Sequence, residues 1–536
     1  MVLYILLLLA LGVNSQACNS CRVSMTSFKI WATNDKNKAN ILSLVKNFCS
    51  QDWVPSDCED ILTYLVPQIN EALLQNYFSP DRFCSILAAC GFPEYTHENF
   101  TKYEETVMKG AEAYFEPTYG QVTFQFAQIS DIHFDEKYVV GSDNKCSSPP
   151  CCRGTFAVDT RAGSFGDYNC DIPFSTVSLA LGQLSGQPLD FVLWTGDTAS
   201  HDSSLTRVQK LASIKKVNDL LWTKFSSIVP VYPIFGSQDA DVVGQYNFSN
   251  NNPIATATAN MWARWIGSKA AASLAKYGRY SLVHRNTNLK IIAINTLACD
   301  YRNFWLLVNV TDPGENLKFL WDELGSAEEN NQFVYIIGHI PPGSDTCLST
   351  WSEHYQVLIR RYSNIVRGQF FGHSHKDEFK LSKDKDGNPI GIQFISPALD
   401  SFGYINPSFR VYSADFDTKA VVNYAQYRLK LQDFATEFVQ AYDFLSYYLV
   451  NDMRPKTLMA LGKLMEDNEL ICMKYVYNKF TFSTQTPSGC DLRCRSDLVC
   501  DINGDRPDVS RKCKGLTQSP SEYFLSRLYG HWTIKS

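Results

Sequence analysis

Blocks of like charge and long apolar runs are scarce in this chain, and each scarcity removes a class of function. Lys and Arg number 49 against 55 Asp and Glu, a net charge of −6, and no basic cluster stands out. The electrostatic footprint of a nucleic-acid binder is missing, so no nucleic-acid partner is expected. Beyond the first dozen residues no stretch is long and apolar enough to predict a transmembrane helix, and the mature protein is expected to be soluble. The early run from Val2 to Leu11 is too short to span a bilayer and lacks a basic leader. Followed by Val13-Asn14-Ser15, it reads as a secretory signal over residues 1–17. An apolar fraction of 45% over 536 residues suffices for sizeable cores and predicts two to four domains.

Cysteine, in contrast, is plentiful: seventeen residues, which in a secreted chain imply a disulfide framework and leave one over. Six come early, at Cys18, Cys21, Cys49, Cys58, Cys84 and Cys90. Between them Ile61, Leu62, Leu65, Val66, Ile69, Leu73 and Leu74 recur at helical spacing, with Glu59 and Asp60 where a helix dipole favours acid. A helical unit of that size, residues 18–91, needs such staples. Residues 92–117, with Pro, Gly and Tyr and the sequon Asn99-Phe100-Thr101, read as an extended connector. From 118 to 417, strand-like runs alternate with helical patterns such as 206–225 and 316–331, an α/β signature. The remainder, 418–536, is expected to be mainly helical: Phe434, Phe438, Ala441, Leu445 and Tyr448 repeat at helix spacing, and 457–476 repeats the pattern beyond Pro455. Cys490 with Cys494 and Cys500 with Cys513 suit local bridges, and Cys472 is the residue left over. Asn247-Phe248-Ser249 and Asn309-Val310-Thr311 add two glycosylation sequons.

Chemistry concentrates at the ends of five apolar runs. They close on Asp131-Ile132-His133, Gly196-Asp197, Gly236-Ser237-Gln238-Asp239, Gly338-His339 and Gly372-His373-Ser374-His375. Open α/β sheets place their sites at the carboxyl ends of strands, and small dications take this mixture of carboxylate and imidazole. One carboxylate can bridge two ions about 3.5–4 Å apart. His201 lies four residues past Asp197; it is a candidate to bind a phosphate or supply a proton, or else a surface histidine paired with Asp202. Asp239 and Asp241 could offer a carboxylate to a metal or serve as solvated turn residues. His284, His354, His97 and His531 have no partner pattern and read as structural.

These motifs, together with His339-Ile340-Pro341-Pro342-Gly343 and His375-Lys376-Asp377-Glu378-Phe379, resemble the calcineurin-like metallophosphoesterases and, within them, the acid sphingomyelinases, from about residue 18 to the end. The resemblance implies an α/β two-sheet sandwich flanked by helices, with an N-terminal all-α saposin B-type domain and a C-terminal helical region. It implies two zinc ions, one held by Asp131, His133, Asp197 and His375 and the other by Asp197, His339 and His373. It also implies the pairs Cys18–Cys90, Cys21–Cys84, Cys49–Cys58, Cys146–Cys151, Cys152–Cys170 and Cys299–Cys347. The saposin-like unit would contact membranes or lipid vesicles, although its apolar stripe equally suits packing on a neighbouring domain.

In one block the chain departs from that family, whose Gly-Asn-His-Glu supplies a metal ligand and a group near the leaving oxygen. Here Ser237 and Gln238 stand instead, a weak neutral ligand and a side chain that does not titrate near neutral pH. The expectation is a secreted or lysosomal phosphodiesterase that splits sphingomyelin or a related phospholipid to ceramide and phosphocholine, with His201 and Asp202 as catalytic candidates and activity impaired by the altered block. The alternative is an inactive lipid-binding pseudoenzyme.

Overall fold

The computed structural model describes residues 97–515 apart from 148, 155, 157–159, 249–251, 308 and 310, and in addition residues 23 and 26. The readings for residues 1–91, including the signal, the saposin-like unit and its three disulfides, lie outside the described residues. The chain divides into two compact units. The smaller includes 301–313, with a 3-10 turn at Phe304–Leu307; the larger, 104–300 with 314–514, carries the sheets.

The larger unit holds two six-stranded sheets. In the first, β1 (Thr123–Ile129), β2 (Phe191–Trp194) and β3 (Val231–Pro233) run parallel, and β10 (Ser408–Asp415), β11 (Val421–Arg428) and β12 (Val439–Asp443) extend it antiparallel in the order β12-β11-β10-β1-β2-β3. The second runs β4-β5-β6-β7-β9-β8, from β4 (Tyr280–Val283), β5 (Leu289–Ala293), β6 (Phe333–Ile337), β7 (Val366–Phe371), β8 (Glu378–Lys383) and β9 (Pro389–Ile395), with β5, β6, β7 and β9 parallel. Parallel strands covered on both faces read as near-continuous apolar runs, and Phe191–Trp194 is buried throughout.

Aromatic rings hold the sheets together. Phe126 of β1 stacks on Phe191 and Tyr412 of its own sheet at 4.9 and 4.8 Å between centroids, and meets the edge of Phe370 of the second sheet at 5.4 Å. Such pairs contribute about 0.5–1.5 kcal/mol each beyond area burial. Helix α3 (Arg207–Phe225) starts on a capping box in which Thr206 and Gln209 satisfy each other's backbone amides. Helix α4 (Pro253–Tyr277) packs on α3, β3 and β4. Helices α5 (Asn316–Glu329), α6 (Ser349–Arg361), α8 (Pro455–Asp467) and α10 (Leu492–Asn503) cover the second sheet.

Four expectations are corrected. The segment read as an extended connector contains helix α1 (His97–Val107). The boundary at 417 falls inside the β10–β11 hairpin, so the C-terminal region begins by completing the first sheet. The 434–448 pattern is not one helix: Phe434 follows a 3-10 turn, Ala441 lies in β12, and only α7 (Phe444–Tyr448) is helical, because pairing with β11 satisfies the backbone of 439–443. The 457–476 pattern is two helices, α8 and α9 (Glu469–Lys479), divided at Asn468, whose side chain caps the second. The bridges Cys146–Cys151, Cys152–Cys170, Cys299–Cys347, Cys490–Cys494 and Cys500–Cys513 are all formed, and Cys472 is free and buried. Asn309 is exposed and Asn247 partly so. Among the described residues no helix is long and apolar enough to cross a membrane.

Candidate metal centre

The loops after β1, β2 and β3 of the first sheet meet those after β6 and β7 of the second. They can approach because glycine begins the turns: a Cβ on Gly236 would strike Asp197, and one on Gly372 would strike Ser130 and Asp131. Asp131, His133, Asp197, His373 and His375 all adopt left-handed backbone conformations, with φ between 43° and 71°. Each costs about 1–2 kcal/mol for a residue with a Cβ, a cost that clusters at functional sites.

All six predicted ligands converge. His339 Nε2 lies 3.0 Å from Asp197 Oδ2 and 3.2 Å from His373 Nδ1. His133 Nε2 is 3.1 Å from His375 Nε2 and 3.9 Å from Asp197 Oδ2, and His375 Nε2 is 3.5 Å from Asp131 Oδ1. Two donor sets result, Asp131, His133 and Asp197 with His375 beside them, and Asp197, His339 and His373, sharing Asp197.

The donor chemistry fits cations. His133 Nδ1 bonds the Ala199 carbonyl at 2.9 Å and His339 Nδ1 the Thr195 carbonyl at 2.8 Å, which directs both Nε2 lone pairs inward. Burial pushes the His375 imidazole down to about 3 and the Asp131 carboxyl up to about 7. Burial would also lower His339, but the Asp197 carboxylate lifts it to about 9. Lone pairs facing each other at 3.1 Å beside buried carboxylates are what a dication relieves, and a proton can satisfy only one of the two nitrogens.

The altered block grips Asp197 and contributes no predicted ligand. Ser237 Oγ donates to Asp197 Oδ2 at 3.2 Å, and the Gln238 backbone N–H donates to Asp197 Oδ1 at 2.7 Å. Asp239 is corrected from a metal candidate to a clamp: Oδ2 accepts from the amides of Gly236 and Asp197, and Oδ1 from those of Thr198 and Ala199, at 2.8–3.1 Å. Asp241 is committed to Arg207.

His201 stacks on His133 with centroids 3.8 Å apart and brings a ring nitrogen within 4.8 Å of His133 and His375 donors. Its partner is not Asp202 but Asp171, whose Oδ1 meets Nδ1 at 2.7 Å while Oδ2 accepts from the His201 amide and Ser200. Burial alone would lower the His201 pKa; Asp171 raises it. Asp202 faces Lys137 and Arg153 at 2.8 and 2.7 Å, held well below the usual carboxylate range by those partners. Asp400 is fully buried, 3.8 Å from His201 Nδ1, with the backbone amides of Ser401 and Phe402 turned towards its carboxylate. Thr346 Oγ1 meets His373 Nε2 at 2.8 Å. Sequence reading missed Asp171, Asp400 and Thr346; only the position of Asp171, directly after Cys170 in the disulfide-tied insertion, hints at a role.

The fold and geometry place the comparisons. Residues 124–377 match the calcineurin-like phosphoesterases, and 388–513 match the acid sphingomyelin phosphodiesterase C-terminal region. Sphingomyelin phosphodiesterase 1 of Caenorhabditis elegans is 30% identical over 70% of this chain and 69% of its own length. The chain belongs to the acid sphingomyelinase family. Another relative, sphingomyelin phosphodiesterase A of Dictyostelium discoideum, is 28% identical over 94% of this chain and 92% of that protein. A cyclic GMP-AMP phosphodiesterase of Homo sapiens is 29% identical over 70% of this chain and 87% of its own. The metallophosphoesterase fold implies a dimetal site, and the two donor sets are its candidate ligands.

Proposed function

We propose that this chain is an acid sphingomyelinase-like phosphodiesterase that hydrolyses sphingomyelin or a related phosphosphingolipid to ceramide and phosphocholine, with zinc as its two metals. The observation that carries the reading is the pair of donor sets sharing Asp197, with His201 fixed beside them by Asp171. Two dications here would neutralise the substrate phosphate and supply an acidified water for in-line attack. The chain's own residues divide the rest of the work. Asp171 holds His201 Nδ1, leaving Nε2 to give the departing alkoxide its proton, the task that Gln238 cannot perform. Asp202 acts at a distance, by orienting Arg153 against Ser200, which in turn bonds Asp171. Residues 18–91 would bring the site to a lipid surface, and the disulfides suit secretion or lysosomal delivery.

A second reading, an inactive lipid-binding pseudoenzyme, is favoured by Ser237 and Gln238, which leave the second donor set with three predicted ligands and no imidazole from that loop. Metal content of the purified chain, taken with hydrolysis of sphingomyelin vesicles and of a soluble chromogenic phosphodiester at acidic and neutral pH, separates the two. Two metals per chain with turnover of sphingomyelin supports the enzyme. Turnover of the soluble diester alone moves the substrate away from lipid. One metal or none with no turnover makes the chain a binding protein.

A further inference from the structure

Cys472, the free cysteine among the described residues, is not alone. It sits fully buried on α9 with its thiol directed at Cys490 Sγ, 3.5 Å away, and Cys490 is bonded to Cys494 four residues on, in the first turn of α10. Three sulfurs thus share one contact, and the outer two differ in surroundings: Cys472 is closed off from solvent, whereas Cys494 is partly exposed. We infer that Cys490 is shared between its two neighbours, so that exchange makes Cys494, and not Cys472, the thiol that these three cysteines offer for modification.

The step needs no outside oxidant. Cys472 gives up its proton, its thiolate attacks Cys490 Sγ, the Cys490–Cys494 bond breaks, and its electron pair leaves on Cys494 Sγ, which takes up a proton. One disulfide and one thiol stand on each side. Sulfurs in contact at 3.5 Å reach bonding distance with a shift of about 1.5 Å, given an S–S bond of about 2 Å. The new bond closes a loop of 18 residues where the old one spans 4. It also fastens α9, whose last residue Lys479 pairs with Glu378 at 2.8 Å beside the metal loop.

Rate follows thiolate. Burial pushes the Cys472 thiol up to about 11, Arg495 of α10 and Lys479 of α9 pull it down, and Glu469 of α9 pushes it up. Exchange is therefore slow at neutral pH and gains about tenfold per pH unit below 11.

Native, unreduced protein alkylated with iodoacetamide at pH 7.0, 8.0 and 9.0, quenched with acid and mapped as unreduced peptides, tests this. The expected label is on Cys494, in molecules that carry a Cys472–Cys490 link, rising about tenfold per pH unit. Cys472→Ser, which removes one buried sulfur, is expected to keep Cys490–Cys494 intact and to abolish the label. Label on Cys472 itself overturns the inference, as does label on Cys494 undiminished in Cys472→Ser. No label at Cys494 at pH 9.0, while denatured protein takes one label per chain, overturns it as well.

Discussion

Asp239→Asn probes the altered block where its geometry is most explicit. Four backbone amides point at one carboxylate, two to each oxygen, so every in-plane lone pair is used and no position remains for a carboxyl proton. Burial and the neighbouring Asp197 push the Asp239 pKa up, and the four donors oppose them. Asparagine keeps the shape but turns one oxygen into a donor, leaving two buried N–H groups facing another. Each such group costs about 1–3 kcal/mol, and the remaining pair loses its charge assistance. The expected destabilisation is about 4 kcal/mol, large against the about 5–15 kcal/mol of a whole domain. Whichever oxygen is replaced, the freed pair includes the N–H of Asp197 or that of Thr198 beside it, so Asp197 is disturbed too. Urea unfolding with and without added zinc, together with metal content, reads both effects. A loss below about 1 kcal/mol with unchanged metal content would refute the clamp, because four satisfied bonds to a buried charge cannot be that cheap to break.

The joint substitution Ser237→Asn with Gln238→His is expected to tighten the second metal about 10- to 100-fold and to raise kcat, as read by metal titration and vesicle hydrolysis. Asp171→Asn should lower kcat about 10²-fold or more with KM nearly unchanged, and Asp171→Glu should recover part of it; equal effects on kcat and KM would point to a merely structural role. His284 gives a pH signature remote from the metals. Burial lowers it to about 4, against about 6.5 in an unfolded chain, and Tyr232 bonds its Nδ1 at 2.7 Å. The unfolded chain therefore binds the extra proton first, and stability present above pH 6.5 falls by up to about 3 kcal/mol on the way to pH 4. His284→Gln should flatten that slope in urea midpoints taken at pH 7 and 4.5.

Much of this architecture was legible because it is periodic or punctuated. Apolar strands ending in Asp- or His-bearing polar turns picked out the six residues that converge, and near-neighbour spacing or family likeness named the five disulfides now seen. What escaped was what depends on pairing across distance. Residues 439–443 carry a spacing that suits a helix, and only the edge of β11 makes them a strand. Asp171 sits in a loop with no repeat, and its partnership with His201 exists only because that loop folds back over the β2 turn. Asp239 looked like a spare carboxylate, since nothing in a string of letters reveals that four amides converge on it.

The allocation of ligands has a mechanical consequence. Asp131, His133 and Asp197 follow strands of the first sheet, His339, His373 and His375 strands of the second, and no backbone ladder joins the two sheets. A cation held by donors from both groups would therefore tie the two sheets together, like a rivet through two plates. Binding energy at these loops becomes resistance to prying the halves apart, growing as RT ln(1 + [M]/Kd). A thousandfold excess over Kd is worth about 4 kcal/mol, so loss of metal would slacken the seam between the sheets as well as the chemistry above it.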